Sequence, residues 1–121
     1  MTSAELQTRL KQFAYRVVTV CENLPKKKVA GVIENQVLRS SFSAAANYRA
    51  SCKAISKKSF VSKLSIAFEE SDESLFWLET IVDLNLQPEN KMTSIVQEAK
   101  ELASILAASR KTSQNKLRSK S

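Results

Sequence analysis

The sequence predicts an all-α protein, built as a four-helix bundle. Its 121 residues include only 1 Gly and 2 Pro, and the frequent Ala, Leu, Lys and Glu residues favour helices over strands. The breakers Pro25, Gly31 and Pro88 leave segments long enough for helices of about three turns or more. Apolar residues recur in these segments at spacings of three and four. A chain of this length buries one core, so we expect one folded domain.

The first two helices are predicted at about residues 3–23 and 29–54. Ser3 is the predicted N-cap of the first, and Pro25 ends it by disfavouring a helical conformation at the preceding residue. We expect a kink or short break at residues 40–43 of the second, because serine hydroxyls compete for backbone groups. The predicted core residues of the two helices are Leu6, Leu10, Phe13, Val17, Val20, Leu24, Val29, Ile33, Val37 and Leu38.

The third helix is predicted at residues 56–84, with Ser56 as its N-cap. The fourth begins near Pro88, which suits a first helical turn, and ends at about Ser109. The predicted core residues are Phe60, Leu64, Ala67, Ser71, Leu75, Leu78, Val82, Met92, Ile95, Val96, Ala99, Leu102, Ile105 and Leu106. Further apolar residues of the third helix, such as Phe76 and Trp77, widen its apolar stripe beyond one face, which predicts contacts on more than one side.

Positive charge is concentrated near the carboxyl end of the chain. The formal net charge is +7, and the last twelve residues carry cations but no acid. We therefore divide the chain into a bundle domain at residues 1–112 and a basic, disordered tail at residues 113–121. Such a tail can bind phosphates by counterion release, bind other acidic partners, or solubilise the bundle and complement the last helix dipole.

A second basic group flanks the junction between the second and third helices. Lys57, Lys58 and Lys63 stand near a helix start, where the macrodipole disfavours cations. Nucleic-acid contact is one explanation, and ion pairing with carboxylates on adjacent helices or subunits is the other. The candidate nucleic-acid-binding residues are Arg49, Lys53, Lys57, Lys58, Arg110, Lys111, Lys116, Arg118 and Lys120.

An acidic cluster in the third helix is interpreted as structural. Carboxylates inside a four-helix bundle suggest a di-metal centre, but that motif adds a histidine from each of two helices and the chain has none. We expect Glu70 and Glu73 to pair instead with Arg39 and Arg49, and we expect no metal or other cofactor.

No catalytic constellation is recognisable. Cys21 and Cys52 lack CxxC spacing, so we expect buried or half-buried reduced thiols. There is no histidine base, nucleophile elbow, SxxK motif or phosphate-binding glycine loop, which argues against an enzyme. No apolar run of membrane-spanning length or signal peptide is recognisable, so we expect a soluble, cytoplasmic protein.

Four segments resemble a known bacterial family. They are QTRLKQFAYRV, NQVLRS, AANYRASCKAISKKSF and EESDESLFWLE, which follow one another in the order typical of the four-helix bundle family named for open reading frames within intervening sequences of 23S ribosomal RNA genes. The resemblance covers about residues 6–110. Ser41 and Ala45 stand where the family often has glycine. Its pattern marks Asn35, Arg39, Ser40, Asn47, Tyr48, Arg49, Lys57, Phe60, Lys63, Glu70, Glu73 and Trp77.

The resemblance implies an antiparallel bundle that assembles as a ring of five copies. Some relatives are accessory proteins of diversity-generating retroelements, in which a basic pentamer binds a reverse transcriptase and nucleic acid. Our first hypothesis is therefore a homopentameric, non-enzymatic accessory or scaffold protein that binds RNA or DNA through phosphate contacts. The alternative is a structural or protein-interaction module that does not bind nucleic acid.

Overall fold

Four helices and no strand make up the described part of the chain. A computed structural model describes residues 1–119, in which α1 spans Ser3–Glu22, α2 spans Lys28–Cys52, α3 spans Lys57–Asp83 and α4 spans Glu89–Ser119. The predicted all-α fold is confirmed. Connections of four or five residues join successive helices.

One hydrophobic core lies between the helices. Each helix packs against the next along the chain, and α4 also contacts α1. Because neighbours in sequence are neighbours in space, short connections suffice to close the core. The largest side chains that the core buries completely are Phe13, Leu10, Ile33, Leu64, Leu78, Ile81, Met92, Leu102 and Leu106.

Serine side chains form a buried polar layer between α2 and α3. The hydroxyls of Ser40 and Ser74 lie 2.8 Å apart, and Ser74 donates to the carbonyl oxygen of Glu70 at 3.0 Å. Ser41 and Ser71 are also fully buried, and the Ser71 hydroxyl has no hydrogen-bond partner within residues 1–119. The hydrogen bond between Ser40 and Ser74 links α2 to α3 at one position along both helices, and a shift by one turn would break it.

The helix starts use hydroxyl caps. Ser56 accepts a hydrogen bond from the backbone N–H of Ser59 at 3.1 Å, as predicted for the start of α3. In α1 the cap is Thr2, which accepts from the N–H of Glu5, and the predicted cap Ser3 is the first helical residue instead. Threonine and serine both satisfy an otherwise unpaired N–H, so the sequence alone leaves adjacent candidates.

The end of α3 is a Schellman motif. Asn85 has a φ of 55°, in the left-handed region, just after the cap residue Leu84. The N–H of Leu86 donates to the carbonyl of Ile81, and the N–H of Asn85 donates to that of Val82, both at 3.0 Å. Asparagine tolerates this conformation better than most residues. Leu86 returns to the core, 8% exposed, so the motif directs the chain towards α4.

The second helix differs from its prediction in its end, its continuity and one core residue. It ends at Cys52 rather than Ala54, and it continues without a break through residues 40–43. The hydroxyls of Ser40 and Ser41 lie within hydrogen-bond distance of carbonyl oxygens three residues earlier in the same helix. They therefore add to helical hydrogen bonding instead of interrupting it. Val29, predicted in the core, is 44% exposed, and the adjacent Ala30 takes the buried position.

The fourth helix is longer than predicted. It continues to Ser119, ten residues past the predicted end at Ser109, so the first part of the predicted disordered tail is helical. The reason is local: residues 110–119 contain no Gly or Pro, and their Arg, Lys, Gln and Leu residues favour helix. The division into a bundle domain and a tail stays a prediction, and its last two residues, 120 and 121, lie outside the described part.

A bidentate ion pair joins α1 to α4. The guanidinium of Arg9 donates to both carboxylate oxygens of Glu98, at 2.8 and 2.7 Å, and also contacts Glu101 at 2.9 Å. The hydrogen bonds from Arg9 hold the pKa of Glu98 below its ordinary value, against the opposing effect of burial. Arg16 adds a hydrogen bond to Ser94 of α4 at 2.8 Å. Polar side chains therefore contribute to the joining of α1 and α4.

The Glu98 carboxylate predicts a pH-dependent component of stability. Because its pKa is lowered on folding from 4.5, ionised Glu98 stabilises the fold above pH 4.5, and this contribution is lost as the pH falls through the folded-state value. Glu98→Gln is expected to lower the free energy of unfolding by about 1 to 3 kcal/mol at neutral pH and to flatten its dependence on pH below 4.5. Urea unfolding at several pH values measures both effects.

The exposed carboxylate Glu22 supplies the control. Glu22→Gln is expected to keep the wild-type pH profile, since Glu22 forms no ion pair within the described residues. If Glu98→Gln and Glu22→Gln gave the same profile, the ion pair with Arg9 would not contribute to stability.

Candidate nucleic-acid interface

Two long segments of the chain contain cations and no acid. Residues 35–68 carry six Lys and Arg residues and residues 102–119 carry four, whereas neither segment contains Asp or Glu. We call these the acid-free segments. They comprise the second part of α2, the first part of α3 and the last part of α4. Their cations are Arg39, Arg49, Lys53, Lys57, Lys58, Lys63, Arg110, Lys111, Lys116 and Arg118.

The two acid-free segments touch through a cation–π contact. The guanidinium carbon of Arg110 in α4 lies 4.3 Å from the centre of the Phe68 ring in α3. Both side chains are partly buried, so the contact also packs the methylenes of the arginine against the ring. The contact brings the cations of the two segments into one region of the surface.

The connection between α2 and α3 and the first turn of α3 together carry three of the candidate residues. Lys53, Lys57 and Lys58 are all exposed. Between them Ile55 is fully exposed, at 101%, beside a shallow hollow whose lining includes Tyr48. This arrangement places three exposed cations within six residues of chain, where they can contact a phosphate backbone.

The candidates at the end of α4 lie on its last turns. Lys111, Lys116 and Arg118 are exposed, and Arg110 is half-buried against Phe68. Cations in the last turn complement the negative end of the helix dipole, so their position also favours the helix itself. Lys120, the remaining candidate, lies outside the described residues.

The acidic cluster pairs with only one of the two predicted arginines. Arg39 contacts Glu70 at 2.6 Å and forms an ion pair with Glu73. Burial alone would raise the pKa of Glu73, but hydrogen bonds from Trp77 and Arg39 hold it below its ordinary value. These contacts give a structural role to four positions of the family pattern, namely Arg39, Glu70, Glu73 and Trp77.

Arg49 does not join this cluster. It forms no ion pair within residues 1–119, and it lies on a groove between α1 and α2 together with Lys11. The Arg39 ion pairs and the Ser40 contact fix the alignment of α2 on α3, so the part of α3 near Arg49 belongs to an acid-free segment. No carboxylate is available there, and the predicted pairing of Arg49 is wrong for this reason.

The cysteines differ from each other. Cys21 is buried, and burial, with smaller contributions from Glu34 and Glu22, raises the pKa of its thiol to about 12. Cys52 is exposed, contrary to the prediction of a buried or half-buried thiol, because α2 ends there and its side chain points away from the core.

Within residues 1–119, no group of three or more His, Cys, Asp or Glu residues could hold a metal ion. None of the described helices is long and apolar enough to cross a membrane.

Sequence reasoning missed the aromatic contribution to this surface. Phe68 is one of the further apolar residues of the third helix, and the sequence does not show that its ring contacts Arg110. Tyr15 and Phe42 form an exposed aromatic pair, with ring centres 6.2 Å apart, beside Lys11. The spacing of four residues between Lys11 and Tyr15 can be seen in the sequence. Whether Tyr15 lies beside Phe42 depends on which helices are neighbours in the fold.

Comparison with known proteins identifies the family. The model of the 23S rRNA-intervening sequence protein family matches residues 4–108. The chain belongs to this family. One solved relative is a protein of unknown function from the S23 ribosomal protein family of Bacteroides thetaiotaomicron VPI-5482. It shares 29% identity with a TM-score of 0.82, over 92% of this chain and 99% of its own. No curated protein matches.

This member of the 23S rRNA-intervening sequence protein family thus shares nearly the whole length of its fold with a solved relative. The match ends at residue 108, just before the cations of the last α4 turns. The basic end of α4 therefore lies beyond the part that the family model describes, and its contribution has to be argued from this chain's own residues.

The Arg110 contact predicts the stability of the last turns of α4. Arg110→Gln is expected to lower the free energy of unfolding by about 0.5 to 1 kcal/mol, since it removes the cation from the Phe68 ring, and to speed amide hydrogen exchange in residues 111–119. Hydrogen–deuterium exchange with mass spectrometry measures the second effect. Lys111→Gln removes an equal charge at the next position, which is exposed. This control is expected to leave both the free energy of unfolding and the exchange rates unchanged. Equal exchange rates in the two variants would contradict this role of Arg110.

Proposed function

We propose that this protein is a non-enzymatic nucleic-acid-binding accessory or scaffold protein that contacts RNA through phosphates. The observation that carries the proposal is the contact between the two acid-free segments, which hold nine cations besides the ion-paired Arg39 and no Asp or Glu. Such a surface gains affinity by releasing counterions from a phosphate backbone. A cytoplasmic location is part of the proposal, since RNA is available there.

An antiparallel up-down-up-down arrangement belongs to the same proposal. It is supported by the contacts between α1 and α4: Arg9 meets Glu98 and Arg16 meets Ser94, so later residues of α1 meet earlier residues of α4. In this arrangement the α2–α3 connection and the end of α4 lie at one end of the bundle. Most acids then lie towards the other end, and the molecule is electrically polar along its axis.

The proposal also includes assembly into a homopentameric ring, as the family resemblance implies. Support from this chain is the set of exposed apolar side chains, among them Tyr15 at 52%, Val32 at 51% and Phe76 at 57%. A ring multiplies the charge of +7 that each chain carries and presents several basic ends to one nucleic acid, which raises affinity without new contacts. Little base specificity is expected, because phosphate contacts carry no sequence information.

A second candidate function is a protein-interaction module without nucleic-acid binding. The groove between α1 and α2, with its aromatic pair, favours it. A reverse transcriptase is the partner that the family resemblance implies, and we keep it within this second proposal. The two candidates differ in whether binding to RNA is measurable at moderate salt.

The salt dependence of RNA binding tests the first proposal. We expect the logarithm of the association constant for an arbitrary single-stranded RNA to fall linearly with the logarithm of salt concentration between 50 and 200 mM, at about 0.7 per phosphate contacted. Fluorescence anisotropy gives the slope. A variant with glutamine at four exposed lysines of the acid-free segments is expected to flatten it by about 3. These lysines are Lys53, Lys58, Lys111 and Lys116.

A matched control changes the same number of charges elsewhere. It has glutamine at four exposed lysines outside the acid-free segments, namely Lys26, Lys27, Lys91 and Lys100. Its slope is expected to stay within about one of the wild type. Equal effects of the two variants would show that only net charge matters. Absence of RNA binding by the wild type at low salt would favour the second function.

A further inference from the structure

Two further surfaces carry unpaired charge around exposed aromatic rings. The first is a groove between α1 and α2, of about 170 Å³, with alanine side chains in its floor and Tyr15 and Phe42 in its walls. Lys11 and Arg49 stand at its edge, and neither forms an ion pair within the described residues. The groove is thus apolar inside and cationic at its rim.

The second surface is an acidic stripe on α3. Phe76 is 57% exposed, and it lies four residues after Asp72 and three before Glu79, which places all three on one helix face. Glu69 and Asp83 extend the stripe in both directions. None of its four acids forms an ion pair within residues 1–119. The stripe therefore carries the opposite charge to the rim of the groove, and its exposed ring lies between carboxylates.

The two surfaces match in size. A cavity of about 150 Å³ accommodates a benzene molecule, so the groove has room for one phenylalanine ring. Tyr15 and Phe42 would meet an inserted ring at their edges or faces, the arrangements that aromatic groups favour.

The two surfaces also match in charge. The rim residues Lys11 and Arg49 have opposite sign to Asp72 and Glu79, which flank Phe76 on either side. A cation at the rim would additionally face the inserted ring itself. Opposite charges at the rim of an interface fix its register and suppress other partners.

We propose that the groove between α1 and α2 of one copy receives Phe76 and the acidic stripe of a second copy. This inference rests on the assembly included in the proposed function, and it names the surfaces that form it. Because groove and stripe lie on different helices, each copy uses both, and the contact is head-to-tail. Head-to-tail contacts generate a closed ring when the rotation between copies closes.

A second copy is the occupant that the charges favour. A nucleic acid base also fits an aromatic groove with a cationic rim, but it leaves the exposed ring and the four unpaired acids of the stripe without a role. The stripe would moreover repel phosphates. A second copy satisfies both surfaces at once, and under this proposal Arg49 acts between copies rather than on RNA.

Charge reversal on each surface tests the contact. Lys11→Glu with Arg49→Glu reverses the groove, and Asp72→Lys with Glu79→Lys reverses the stripe. Each double variant is expected to raise the dissociation constant between copies by about tenfold or more, because like charges replace attractive ones. The variant with all four changes is expected to assemble again, because every groove then meets a stripe of opposite charge. Light scattering coupled to size-exclusion chromatography measures the mass, with circular dichroism as the check of helicity.

Two control variants change charge equally on other surfaces. Lys91→Glu with Lys100→Glu, and Glu22→Lys with Glu89→Lys, are expected to keep the wild-type mass. A monomeric wild type would overturn the assembly and this contact together. An assembled wild type whose mass survives either reversal, or whose mass is not restored by the fourfold variant, would overturn the contact alone. A groove reversal that keeps the mass and abolishes RNA binding would assign the groove to a base.

Discussion

The separation of acids from cations along the helices is the constraint on which the rest of this structure depends. The contacts of Ser40 with Ser74 and of Arg39 with Glu70 set how α2 lies on α3, and Arg110 on Phe68 sets how α4 does. In that alignment the two acid-free segments lie against each other and bring no Asp or Glu of their own to the surface that they share.

The ion pairs of the described residues join neighbouring helices. Arg9 pairs with Glu98 at half-buried positions, where geometry and shielding from water make such a pair worth more than a fully exposed one. Arg39, which pairs with Glu73, is more exposed. These ion pairs involve the partly buried carboxylates of Glu98 and Glu73. The carboxylates of the acidic stripe remain on the outside, where a second copy could meet them.

The sequence predicted the helices well because their determinants are local. Ser56 caps α3, and apolar residues at helical spacing mark the core face of every helix. The local nature of these signals also explains the errors. Val29 and Ala30 are adjacent and both apolar, so periodicity did not distinguish which of them faces the core. A single asparagine, Asn85, is not a decisive signal for the turn that ends α3. The groove was beyond prediction for another reason. Tyr15 and Phe42 belong to different helices, and their adjacency follows only from the packing.

Mapping which lysines RNA covers would test the central claim most directly. Full-length protein is labelled with an amine-reactive reagent, with and without RNA at low salt, and the label at each lysine is quantified by mass spectrometry. The account predicts protection of Lys53, Lys58, Lys111 and Lys116 and continued labelling of Lys91 and Lys100. Protection of Lys26, Lys27 and Lys28 instead, or equal protection of all lysines, would contradict a basic surface formed by the two acid-free segments.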